Sequence, residues 1–73
     1  MGYTLAVFRA RTQTILFANL LKSYNIPIII LDTPRDLNIS CGISVKFDTI
    51  NKETAELLIK RRRFDSFAGF FDY

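Results

Sequence analysis

A chain of 73 residues with one cysteine and no histidine leaves room for one domain, 1–73, with one modest core. It excludes an internal disulfide, any ordinary zinc site and a Cys–His hydrolytic couple. The net charge of +3 is too mild to argue by itself for nucleic acid.

Hydrophobic residues make up 49% of the chain, yet no run reaches the roughly 18–20 apolar residues of a membrane span. Arg9 and Arg11 interrupt the N-terminus too early for a signal peptide, so the expectation is a soluble cytoplasmic protein. Nothing in the residues calls for a cofactor.

Tyr3-Thr4-Leu5-Ala6-Val7-Phe8 is β-rich and ends at a charged break, which predicts a first strand. From about Thr12 to Tyr24 the apolar positions Phe17, Leu20, Leu21 and Tyr24, flanked by Ile15 and Ala18, have helical spacing and predict one buried stripe. Thr12 is the expected cap, and Asn25 suits the left-handed residue that often ends a helix. Ile26 to Leu31 reads as a second strand, with Pro27 favouring a sheet edge.

Ile43-Ser44-Val45-Lys46-Phe47 alternates apolar and polar as a third, half-buried strand. Asn51 caps a predicted second helix running to about Arg62. Ile50 and Ala55 stand at staple positions, and Ala55, Leu58 and Ile59 form the buried face. Phe64 to Tyr73 closes the chain as an aromatic strand with Gly69 at a bulge. This strand–helix–strand–strand–helix–strand order predicts an α+β, ferredoxin-like βαββαβ sandwich: a four-stranded antiparallel sheet with both helices on one face.

Between the second and third strands, Thr33 to Gly42 is polar and turn-forming, and it carries the lone Cys41. In the predicted topology all six arginines (Arg9, Arg11, Arg35, Arg61, Arg62 and Arg63) and Lys60 fall at the Cys41 end, with Asp32, Asp36 and Asp65. Lys60 to Arg63 also complement a helix C-terminus. Arg9 and Arg11, by contrast, stand at a helix N-terminus, where cations oppose the dipole unless an anion lies between them.

Cations and a helix N-terminus favour the thiolate, and Gly42 leaves the backbone beside it approachable. The competing reading of Cys41 is a small buried hydrophobe, the commonest fate of a free cysteine. If the thiol reacts, the absence of a resolving cysteine suits a persulfide or perselenide, which cannot discharge into an internal disulfide. Arg9, Arg11, Arg35 and Gly42 are then the candidate anion-binding residues.

Leu31-Asp32-Thr33-Pro34-Arg35-Asp36, followed by Ser40-Cys41-Gly42, resembles the signature of a small family of selenium/sulfur carrier-like proteins. The similarity also takes in the first strand, Leu20-Leu21-Lys22 before Ile26-Pro27, and the closing tyrosine. This resemblance implies a carrier in sulfur or selenium metabolism, loaded on Cys41, with Pro34, Arg35 and Ser40 shaping the loop. It implies a sulfurtransferase or selenium-donor protein as partner and an accessory role rather than a stand-alone enzyme.

Two other functions stay open. The second strand is apolar on both faces, and Phe67, Phe70, Phe71 and Tyr73 serve more than one side of the last strand. Burying the open sheet face against another copy resolves both features, so a homodimer is expected, and a non-catalytic interaction domain is the alternative function. RNA binding by an aromatic sheet ranks last, because Ile43-Ser44-Val45-Lys46-Phe47 lacks the Lys/Arg-Gly-aromatic pattern.

Overall fold

Runs of β-branched and aromatic residues alternate with helix-period segments, and the chain folds accordingly. The computed structural model describes residues 2–37 and 41–73. The elements are β1 (Tyr3–Phe8), α1 (Arg11–Ser23), β2 (Ile28–Asp32), β3 (Ile43–Asp48), a 3-10 turn at Thr49–Asn51, α2 (Lys52–Arg62) and β4 (Phe67–Asp72). The strands form one sheet in the order β2-β3-β1-β4, every neighbouring pair antiparallel. This is the expected α+β, ferredoxin-like βαββαβ arrangement, with β2 on an edge.

Both helices pack on the same face of the sheet. Phe17, Ala18 and Leu21 of α1 and Ala55, Leu58 and Ile59 of α2 join Ala6, Phe8, Val45 and Phe47 in one buried cluster. Its hub is Phe8, whose ring lies 5.2–5.5 Å from those of Phe17, Phe64 and Phe67, all tilted or edge-on. Such geometry sets a positive ring edge against a neighbour's negative face, which adds to plain area burial.

Element boundaries differ from the sequence expectation where a local hydrogen bond outweighs the hydrophobic pattern. Ile26 belongs to the end of α1 rather than to a strand. Its amide donates to Leu21 O and that of Asn25 to Lys22 O, with Asn25 left-handed at φ 60°. That is a Schellman closure with its usual apolar contact, and Asn25 plays the part predicted for it.

The stripe of α1 is rotated from expectation: Thr14, Phe17, Ala18 and Leu21 are buried, while Ile15 and Tyr24 are exposed. Thr12 does not cap the helix; it lies inside, and Ala10 is the cap residue, with no side-chain bond. At α2, Asn51 holds the cap position without a side-chain bond, and the Asp48 carboxylate instead accepts the Ile50 amide at 3.0 Å. Ile50 is 84% exposed, so it staples nothing.

Phe64 packs into the core ahead of β4, turning through the Phe67 N–H to Phe64 O bond. Opposite Val7 and Phe8 the β1–β4 register slips at Gly69, which takes φ 146°, so the predicted bulge is present. A Cβ at Gly69 would meet the Phe71 ring only at ordinary contact distance, so the positive φ is what favours glycine there.

On the face away from the helices, Leu5 and Val7 are nonetheless fully buried. Register places Leu5 between Lys46 and Phe71, and Val7 between Ser44 and Gly69. The Lys46 ammonium lies 4.2 Å from the Tyr3 ring centroid and 5.1 Å from that of Tyr73. A lysine stem under two aromatic rings covers apolar surface while its charge stays wet. This face therefore shields much of its own hydrocarbon.

Candidate functional site

Cys41 lies just before β3, at the end of the sheet where β1 and β2 finish and α1 begins. Two backbone bonds fix this corner. The Thr33 amide donates to Gly42 O at 2.9 Å, closing the loop at its base, and the Cys41 amide donates to Phe8 O at 3.2 Å. Gly42 takes φ 103°, a left-handed value that a side chain would strain. A thiol-bearing loop is thereby tied to the strand that carries the core's aromatic hub.

Cys41 is half-buried, and its sulfur has two polar neighbours among the described residues. Thr14 Oγ1 is 3.4 Å away and Ile43 O is 3.7 Å away. Thr14 is itself fully buried, and its hydroxyl also lies 3.2 Å from Ala10 O. That carbonyl already accepts the Thr14 amide at 3.1 Å, so turning the hydroxyl toward sulfur leaves no acceptor unmade. A neutral thiol donates to Ile43 O; a thiolate accepts from Thr14. The corner thus accommodates both protonation states without moving the backbone.

A second contact set holds the first turn of α1 in place. Gln13 Nε2 donates to Asp65 Oδ1 at 2.7 Å, and Gln13 Oε1 accepts the Ser66 amide at 3.0 Å together with the Ser66 hydroxyl. The Arg9 amide donates to Ser66 O at 2.8 Å. These bonds fasten the α2–β4 connection to the start of α1, and so steady Thr14 beside the sulfur.

The other sequence-derived candidates are distributed around the same end. Arg9 is exposed between β1 and α1, and Arg11 is exposed as the first residue of α1. Pro34 is half-buried and Arg35 exposed in a turn closed by the Leu37 amide donating to Pro34 O at 3.0 Å. Arg61, Arg62 and Arg63 are exposed at the end of α2. Ser40 lies outside the described residues.

Among the described residues no guanidinium bonds the sulfur; its bonded neighbours are Thr14 and Ile43. Sequence reasoning missed Thr14, although its spacing to Phe17, Ala18 and Leu21 marks a polar residue on a buried stripe. Gln13 carried no such signal.

Two surface cavities lie elsewhere. One, of about 340 Å³, is lined by Tyr3, Pro27, Ile28, Ile29, Lys46, Phe47 and Asp48. Another, of about 220 Å³, lies among Glu56, Ile59, Lys60, Phe67 and Phe70. Neither includes Cys41. No group of His, Cys, Asp or Glu among the described residues could hold a metal ion, and no described helix is long and apolar enough to cross a membrane.

The family model described as "Putative Se/S carrier protein-like" matches residues 3–66, a span that contains every contact of the thiol corner. The chain belongs to this Se/S carrier-like family. The matched span runs from the first residue of β1 to Ser66, whose bonds to Gln13 complete the corner, and stops just before β4. No curated protein and no solved structure matches the chain.

Proposed function

We propose that the protein is a sulfur or selenium carrier whose cargo rides on Cys41. The observation that carries this reading is the thiol corner: a half-buried cysteine, pinned through its own amide, with the Thr14 hydroxyl 3.4 Å from the sulfur. The family description points the same way. A carrier thiol must be reachable by a donor protein yet held still. A surface corner meets that need better than an enclosed pocket.

The exchange balances without an external oxidant or reductant. The Cys41 thiolate attacks the terminal sulfur of a donor persulfide, R–S–SH. The donor's S–S bond breaks, a new S–S bond forms on Cys41, and the donor leaves as a thiolate that takes up a proton. Delivery to an acceptor thiol is the same step reversed. Thr14 donates a hydrogen bond to the attacking sulfur, and the arginines at this end of the domain supply long-range attraction for an anionic cargo. No proton transfer from a histidine is needed, consistent with a chain that has none.

Intact-mass spectrometry after incubation with a cysteine desulfurase and either cysteine or selenocysteine, which leave the donor enzyme carrying a persulfide or perselenide respectively, tests the reading. The expected result is a gain of about 32 Da or about 80 Da on Cys41 alone, abolished in Cys41→Ser, because the thiolate is the accepting nucleophile. An unloaded thiol under both regimes overturns it.

A further inference from the structure

The two edges of the sheet are guarded differently. β4 carries the Gly69 bulge, a feature that discourages strand addition. β2 reads Ile28-Ile29-Ile30-Leu31-Asp32, with no proline or bulge inside it and its one charge at the last residue, and Ile29 and Ile30 are 58% and 42% exposed. Such an edge is a ready template for pairing.

Its hydrogen-bond phase is fixed. The Thr33 amide bonds Gly42 O in line with the β2–β3 register, so in antiparallel alternation Ile29 and Leu31 turn their backbone groups toward β3. Ile28, Ile30 and Asp32 then turn theirs outward. No described residue bonds those outward groups.

We infer that β2 pairs antiparallel with β2 of a second copy, in a twofold register centred on Ile30, to make a continuous sheet across the dimer. Facing residues of an antiparallel pair must point to the same side, and only even-numbered residues present outward groups. Centring on Ile30 meets both conditions: Ile30 faces Ile30, Ile28 faces Asp32, and all three outward N–H and C=O pairs of each strand find partners.

The two Asp32 carboxylates then stand at least roughly 14 Å apart along the strands, by the rise per residue, beyond the screening length at ordinary salt. Each Cys41 loop lies at its own end of the joined edge, so the thiols do not meet. The open sheet face has less need of a partner, since Leu5 and Val7 are already covered.

Sedimentation velocity over a dilution series tests this on the full chain, with Ile30→Pro, Ile30→Lys and Tyr73→Ala alongside. Ile30→Pro removes only an outward N–H that the protomer does not use, and it keeps Ile29 extended. Ile30→Lys sets two like charges directly opposite each other at the centre of the pair.

The expected result is a wild-type dimer, monomeric Ile30→Pro and Ile30→Lys with native circular dichroism, and a Tyr73→Ala variant that stays dimeric. If Ile30→Pro loses its fold, Ile30→Lys decides. A wild type that is monomeric throughout overturns the proposal. So does a dimer that survives Ile30→Lys, or one dissolved by Tyr73→Ala alone.

Discussion

The hydroxyl of Thr14 and the sulfur of Cys41 lie 3.4 Å apart, across 27 positions of sequence, and the hydroxyl is sealed from solvent. Thr14→Val keeps the shape and removes the side-chain hydroxyl that, among the described residues, is bonded to sulfur. A hydrogen bond to a charged acceptor contributes about 1.5–3 kcal/mol. Because a freed thiolate is also a stronger nucleophile, observed alkylation by iodoacetamide at neutral pH should slow by about three- to tenfold. Thr14→Ser should restore most of the rate. Equal rates in all three proteins would remove Thr14 from the chemistry.

Gln13 joins the first turn of α1 to Asp65 and Ser66 through three hydrogen bonds. Gln13→Ala leaves the part-buried Ser66 amide without its acceptor, which should lower unfolding free energy by about 1–3 kcal/mol. A urea titration monitored by circular dichroism reads this directly. The same variant should also loosen Thr14 and slow alkylation of Cys41, linking scaffold to site.

Phe8 touches three other aromatic rings and is fully buried. Phe8→Ala should cost about 3–5 kcal/mol, a large part of the stability of a domain this small. Thermal melting should show a broad, early transition or none. Because Phe8 O also accepts the Cys41 amide, Phe8→Leu, which keeps bulk in the core, separates packing loss from displacement of the thiol.

Arg63 ends α2 in the left-handed region at φ 52°, a conformation that strains any residue with a Cβ. Arg63→Gly should therefore stabilise the protein by about 0.5–1 kcal/mol, the steric relief exceeding glycine's entropy cost. Chemical denaturation measures the gain. Unchanged loading of Cys41 in this variant would show that Arg63 has no part in the proposed carrier role.

Much of this architecture is legible in the sequence because short-range patterns and tertiary packing agree. The alternation across Ile43 to Phe47, the Ala55, Leu58 and Ile59 stripe, the left-handed Asn25 and the bulge at Gly69 are all local signals that the fold keeps. Disagreement arises where a contact distant in sequence decides. Ile15, Ile50 and Tyr24 are apolar but exposed, and pattern alone assigned them to the interior or to a staple. Thr14 is polar but sealed because it meets Cys41, and Gln13 is held by Asp65 and Ser66. No window of neighbouring residues encodes those meetings. They follow from the β1–α1 corner closing against the loop after β2 and the connection after α2.

The bond from the Thr33 amide to Gly42 O closes the loop that carries Cys41 at its root, before the chain enters the sheet. Whatever lies beyond that clasp can grow or change composition at small thermodynamic cost, since doubling a flexible loop adds only about 0.6 kcal/mol of closure entropy. On the carrier reading, recognition could therefore diversify in the residues ahead of Cys41 while the sulfur, just inside the clasp and held through the Cys41 amide to Phe8 O, keeps its seat. Grafting a longer arch between Thr33 and Cys41 is a practical route to redirecting delivery without rebuilding the protein.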